Sequence, residues 1–169
     1  MNMLPKTRKF KVFLHSPDPG PVSYPRIDVP ADIAHAFLGV ENKKRIVLHF
    51  DNGRSFHRAL LRNGKGETFI RLGKTMLRDA GKRPGEEVMV SLTEDRSEFG
   101  YTFPEELQEV LQQDPGGREA FMALMPGMRR SFLYYISSAK TIDTRIRRSL
   151  QLVENLKAGV LSAGKKKGR

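Results

Sequence analysis

IRLGKTMLRDAGKRPGEEVMVSL, residues 70–92, reads as strand, short helix, tight turn and strand. Ile70 and Leu72 end an alternating strand. Met76, Leu77 and Ala80 form an apolar face at helical spacing, and Gly81 sits where a helix needs a left-handed residue to stop. Pro84-Gly85 is a turn pair, after which Val88, Val90 and Leu92 alternate as a half-buried strand. The same plan occurs once earlier. Ile27 and Val29 precede Pro30; Ile33, Ala36 and Phe37 follow at helical spacing; Gly39 stops them; Ile46 and Leu48 resume alternation. Two copies of one strand–helix–strand unit predict a pseudo-symmetric small β-barrel.

Outward from these copies, Phe10, Val12 and Leu14 alternate in a first strand, and residues 16–22, SPDPGPV, are a loop. Residues 45–51 and 54–62 flank Asn52-Gly53, a strong hairpin signal that predicts a two-residue loop. In that register residue 51 faces 54, so 49 faces 56 and 48 faces 57. Ile46, Leu48 and Phe50 then lie on one face, against Val47, Phe56 and Leu60. Apolar side chains on both faces predict a closed barrel packed against further structure. Asn63-Gly64-Lys65-Gly66 makes the next turn, and the strand over residues 86–95 leads to a polar boundary over 95–100.

From Phe103 the texture becomes helical. Pro104 starts a helix with Glu105 and Glu106 in its first turn, where the helix dipole favours acid, and Leu107, Val110 and Leu111 as its apolar face. Asp114-Pro115-Gly116-Gly117 predicts a break. A second helix runs from Arg118 to Met125 with Phe121, Leu124 and Met125 inward, and Pro126-Gly127 ends it. A third, over 128–140, carries Met128, Phe132, Tyr135, Ile136 and Ala139 at core spacing. Thr141 caps a fourth, whose stripe is Ile142, Ile146, Leu150, Val153 and Leu156, and Gly159 ends it.

The chain has 30 basic and 19 acidic side chains, a formal net charge of +11 and a pI of about 10.1. Eleven basic and two acidic residues fall within 129–169, so the positive charge is concentrated in the last two helices and the tail. Such a surface attracts nucleic acid or another polyanion. Cysteine is absent, which excludes disulfides, thiolate metal sites and thiol nucleophiles. No run approaches the length of a membrane span or a signal peptide, so a cytoplasmic location is expected.

Ile136, Ala139-Lys140, Thr144-Arg145 and Arg148 follow a pattern I-x-x-A-K, then T-R-x-x-R. With the Pro104 helix and the entry Pro126-Gly127-Met128-Arg129-Arg130, this half resembles the C-terminal module of the YdeI/OmpD-associated, or bacteriocin-protection, family. The first half is similar to the domain of unknown function often fused ahead of that module. The matching residues there are Val29-Pro30, Gly39, Gly64, Gly66, Leu72, Lys74, Arg78, Gly81, Gly85, Val88, Val90 and Asp95. More distantly it resembles swapped-hairpin barrels of transcription regulators, which two chains usually build together. The resemblance implies a small barrel followed by a helical module, and no reaction.

The first candidate site is the basic cluster Arg129, Arg130, Lys140, Arg145, Arg147 and Arg148, joined by Lys157, for binding phosphates. Its alternative is a solvated face, with Arg145 or Arg148 paired to Glu105, Glu106 or Glu109. Of the two tyrosines beside it, Tyr135 belongs to the core stripe and Tyr134 is free for base stacking. Lys74 and Arg78, one turn apart at a helix start, form a second candidate, for a small anion. Gly64-Lys65-Gly66 and Gly73-Lys74-Thr75 lack the full spacing of a phosphate loop. In the two-residue register His49 and His57 point to opposite faces and share no metal; a three-residue loop is expected to put them opposite each other on one face. No catalytic motif, metal set or cofactor signature is present, and His15 and His35 have no ligand pattern around them.

The expected architecture is therefore α+β: a closed β-barrel with short helices over residues 8–100, an all-α module over 103–158 and a flexible basic tail over 159–169. The expected function is non-enzymatic binding of an anionic partner, nucleic acid first, through the basic helices. The alternatives are a small-ligand protein or enzyme with a site between the two parts, and a protection factor acting through a protein partner. An exposed apolar patch, and not a basic one, would mark the last.

Overall fold

The computed structural model describes residues 7–19, 23–38 and 45–162. The predicted stop at Gly39 and the basic residues Lys165–Lys167 of the predicted tail lie outside the described residues. The chain divides into two compact units, residues 1–96 and 97–169.

The first unit holds two antiparallel sheets. Strands β1 (Arg8–Phe13), β2 (Arg26–Val29), β3 (Arg45–Phe50), β4 (Ser55–Ala59), β5 (Leu61–Arg62), β6 (Thr68–Arg71) and β7 (Glu87–Glu94) are interleaved with helices α1 (Ala31–Phe37) and α2 (Lys74–Asp79). One sheet has the order β1-β7-β3-β4 and the other β2-β6-β5. The repeated plan is present as β2–α1–β3 and β6–α2–β7. Each strand pairs with its counterpart: Ile27 lies across from Ile70, and Leu48 across from Leu92. Gly81, at φ 63°, ends α2 with the Lys82 N–H returned to the Leu77 carbonyl at 2.9 Å.

The barrel does not close. The sheets are open, with α1 and α2 interspersed between the strands, and the closed barrel with short helices expected over residues 8–100 is not formed. Between the first strand and β2 a single bridge, His15 to Arg26, is formed. The physical reason sits in the Asn52-Gly53 hairpin. Its loop has three residues, 51–53, because the Phe50 N–H bonds the Arg54 carbonyl at 2.8 Å and Gly53 takes φ 83°. One extra loop residue changes the parity of the register. His49 faces Ser55 and Leu48 faces Phe56. Phe56 is thereby on the core side with Leu48 and Phe50, where its ring lies edge-on to Phe50 at 6.0 Å. Leu60 is buried there too, and of the apolar residues expected on the second face only Val47 remains on it. The two-sided pattern that called for closure is absent. Asn52 instead fastens the loop to α2, donating from Nδ2 to the Ala80 carbonyl at 2.6 Å, while Asp51 pairs with Lys82 at 2.8 Å. One core takes the inner faces of both sheets together with Ile33, Phe37, Met76 and Leu77 of the helices.

The second unit carries α3 (Glu105–Gln113), α4 (Pro115–Met122), α5 (Pro126–Ser137) and α6 (Ile142–Lys157). Asp114-Pro115-Gly116-Gly117 starts a helix as well as ending one. Asp114 caps α4, accepting from the Gly117 N–H at 2.8 Å, and Pro115 takes the first helical position. At Gly117 α4 and α6 approach closely: a Cβ there would stand 2.3 Å from Val153 Cγ1. The core is Leu107, Leu111, Phe121, Leu124, Phe132, Leu133, Ile136, Leu152, Val153 and Leu156. Met125, expected inward, is 73% exposed just outside α4.

Candidate functional site

On α6 the sequence offers two overlapping apolar arcs, and the fold buries one of them. Ser149, Leu152, Val153 and Leu156 face the core. The small Ser149 side chain fits this inner position and returns its hydroxyl to the Arg145 carbonyl at 2.8 Å, so it leaves no unsatisfied donor. Ile142, Ile146 and Leu150, expected in the core stripe, are instead 60%, 40% and 50% exposed. They follow i, i+4, i+8 and form one outward stripe along the first two-thirds of the helix. Asp143, Arg147, Gln151 and Glu154 border it, lining a shallow groove with Ile146 and Leu150.

The basic residues do not form one surface. Arg145 Nε donates to Glu106 Oε1 at 2.7 Å, and its Nη1 donates to the Ala139 carbonyl at 3.2 Å. Arg148 Nη1 donates to the Tyr135 carbonyl and to Ser138 Oγ at 3.0 Å, and its guanidinium lies 4.3 Å from the Tyr135 ring centre. The two arginines of T-R-x-x-R thus close the last turn of α5, whose final carbonyls have no partner within the helix, and tie α6 to α3. The Glu106 carboxyl is held below its ordinary range by its own backbone N–H and then by Arg145. Lys157 is engaged as well, at 2.6 Å from Asp114 Oδ2. Its ammonium, and then the Gly117 N–H, hold the Asp114 carboxyl low, and the same contact raises Lys157.

Of the six predicted cluster residues, Arg129 and Arg130 are half-buried at the start of α5, Lys140 is exposed at the α5–α6 turn, and Arg147 is exposed on α6. The Arg129 guanidinium lies 5.7 Å from the ring centre of Phe99. The predicted small-anion pair is also drawn apart: Arg78 folds onto Asp79 through two bonds of 3.2 Å, leaving Lys74 alone on a six-residue helix.

The three-residue hairpin loop places His49 and His57 on one face of the sheet, two residues out of register. Each already has partners. His49 contacts Ser55 Oγ at 2.7 Å and Thr93 Oγ1 at 2.8 Å, and burial lowers its pKa. His57 Nδ1 lies 2.9 Å from the almost fully buried Asp95 carboxylate, a pair that residue spacing does not reveal. Among the described residues no group of three or more His, Asp or Glu side chains is placed to hold a metal, and no helix is long and apolar enough to cross a membrane.

A second feature of the helical unit escaped the periodicity argument because it begins outside any helix. The irregular segment 97–103 lays Phe99 and Phe103 against Phe121 of α4, with ring centres 5.1, 6.2 and 5.8 Å apart. Together with α3 and α4 they enclose a cleft of ≈ 500 Å³. Closely spaced aromatics just before a helix, Phe99, Tyr101 and Phe103, are the signal that could have found it.

No curated protein matches the chain. Residues 101–159 match the model of the family described as Bacteriocin-protection, YdeI or OmpD-associated, a match that takes in all four helices of the second unit and not the first unit. Over that segment, where Arg145 and Arg148 tie α6 to its neighbours, the chain is similar to this family.

Proposed function

We propose that this chain is a non-enzymatic protection factor that acts by binding a protein partner through the outward face of α6. The observation that carries this is the stripe Ile142, Ile146 and Leu150, exposed side by side on a helix whose arginines Arg145 and Arg148 are engaged internally. An apolar stripe rimmed by both signs of charge, here Asp143, Glu154 and Arg147, is the composition of a protein-binding face. A polyanion site would show convergent cations. The family description supports protection as the process served.

The test is survival of a bacteriocin-sensitive bacterial strain expressing the chain, compared with a strain expressing an Ile146→Glu/Leu150→Glu variant. Wild type is expected to raise survival and the variant to lose the effect. Thermal unfolding should change little, because both side chains are already half-exposed at the surface and lie outside the core. A variant that protects as well as wild type, or a wild type that gives no protection, refutes the proposal. A second reading, binding of nucleic acid, is favoured by one observation: Lys140 and Arg147 are exposed and make no ion pair among the described residues.

A further inference from the structure

The aromatic cleft of the helical unit has a floor, a rim and a charge balance that together specify a ligand. Phe121 is fully buried at its base beside Leu111, and Phe99 and Phe103 are half-buried in its wall. The three rings are tilted to one another by 55–79°. Rings at these separations are packed against one another and form one continuous apolar wall, against which a flat apolar group can lie. A volume of ≈ 500 Å³ lies within the range of small-molecule sites.

The rim is polar. Arg118 lies three residues before Phe121 and four before Met122 on α4, so all three share one helix face. Its guanidinium is exposed and makes no ion pair among the described residues. Gln108 and Gln112 stand one turn apart on α3 and offer amide groups from the other wall. Arg118 is the one cation among the lining residues, and Glu98 the one anion. This balance decides the ligand class. A single carboxylate can take the planar guanidinium in a two-point contact. A polyphosphate would bring further negative charge against Glu98, and Arg129, the cation that lies 5.7 Å from the Phe99 ring centre, is not among the lining residues. A neutral hydrocarbon would leave Arg118 unused and is held more weakly.

We infer that this cleft binds a small, planar, apolar monocarboxylate, with its ring system against the wall that the half-buried Phe99 and Phe103 form over Phe121 and its carboxylate on Arg118. The inference is independent of the partner face on α6, which lies on other residues, so the failure of one leaves the other intact.

The experiment is a titration of the full chain with 2-naphthoate, followed by two-dimensional amide NMR, alongside the uncharged 2-naphthalenemethanol. Saturable shifts are expected over residues 97–122 in the millimolar range or tighter, with the uncharged analogue at least about tenfold weaker. Arg118→Gln should weaken naphthoate by about tenfold and leave the uncharged analogue unchanged. Met122→Glu, at a half-exposed rim position that tolerates a polar side chain, should weaken naphthoate by repulsion while the spectrum stays folded. Absence of saturable shifts, shifts centred on α6, or equal affinity of wild type and Arg118→Gln for naphthoate would overturn the assignment.

Discussion

Gly117→Ala should unfold the helical unit more easily, although alanine is the better helix former. Two effects oppose each other. Alanine in place of a helical glycine gains about 1 kcal/mol of intrinsic propensity. Against that, the new methyl would stand 2.3 Å from Val153 Cγ1 and 3.2 Å from Asp114 Cγ. Valine within a helix holds one χ1 rotamer about nine times in ten, so Val153 cannot swing aside cheaply, and α4 must move away from α6. Inserting a methyl into a closed contact costs about 1–3 kcal/mol, and an overlap this deep belongs at the upper end. The net loss is then about 2 kcal/mol, or roughly 10 °C in Tm for a unit of this size. Gly116→Ala is the control. Its Cβ meets only Asp114 Oδ1 at 3.6 Å and Lys157 Cδ at 3.8 Å, ordinary contacts, so it should stabilise by up to about 1 kcal/mol. Urea unfolding followed by circular dichroism at helix wavelengths reads both. In a Val153→Ala background the Gly117 clash disappears, and Gly117→Ala should become neutral or stabilising, a coupling of about 3 kcal/mol. If Gly117→Ala matches Gly116→Ala, or if no coupling to Val153 appears, the close approach of α4 and α6 is wrong.

Acid should act on the two units in different ranges. Glu106 and Asp114 have folded pKa values below their unfolded ones. Their contribution is present above the ordinary carboxylate range and lost as pH falls through the depressed values. The helical unit should hold down to the carboxylate range and then lose stability, with Glu106→Gln flattening that limb. Lys157, raised in the folded state, contributes below the ordinary lysine range and loses its contribution only as pH rises through the raised value. The lowered pKa of His49 means the unfolded chain takes up a proton first, so the strand-rich unit should begin to weaken as pH falls through the ordinary histidine range. Amide exchange or chemical shifts against pH separate the two limbs; a single coincident transition contradicts the assignment. If nucleic acid binds, fluorescence anisotropy over salt should give a logarithmic slope no steeper than about −3 for single strands. Four cations of the cluster, Arg129, Arg130, Lys140 and Arg147, hold neither a carboxylate nor a backbone carbonyl among the described residues, whereas Arg145, Arg148 and Lys157 are engaged. A steeper slope, or one unchanged when those four are glutamine, would show that the cations responsible lie elsewhere.

What the sequence makes legible is whatever rests on one local rule. The left-handed stop at Gly81, the Thr141 cap that receives the Thr144 N–H, and the paired strand–helix–strand plans all follow from residue type and spacing, and all are present. What it hides depends on a choice between near-equal local options. Asn52-Gly53 suits a two-residue loop, yet Gly53 also suits the left-handed position that ends a three-residue one. The bonds from Asn52 to the end of α2 and from Asp51 to Lys82 select the second, and neither can be seen without the tertiary fold. That single residue of register moves Phe56 to the core side and removes the argument for a closed barrel.

The same kind of choice governs α6, and there it bears on function. Two apolar arcs share the helix, and hydrophobic spacing weighs Ile142, Ile146 and Leu150 no less than Leu152, Val153 and Leu156. The decision falls to residues that spacing ignores. Gly117 allows α4 close to Val153, Ser149 is small enough to sit inside, and Arg145 reaches Glu106 from the inner edge of the helix. Each of these draws the helix toward one rotation, and together they turn the larger aliphatic residues outward. Three bulky apolar side chains left about half exposed forgo much of the stabilisation that full burial would give the isolated chain. The arginines that would have made the helix a polyanion site are the ones that hold this rotation in place. A loss of the Arg145–Glu106 contact should therefore disturb the α6 face itself, and partner binding and helix packing stand or fall through the same pair.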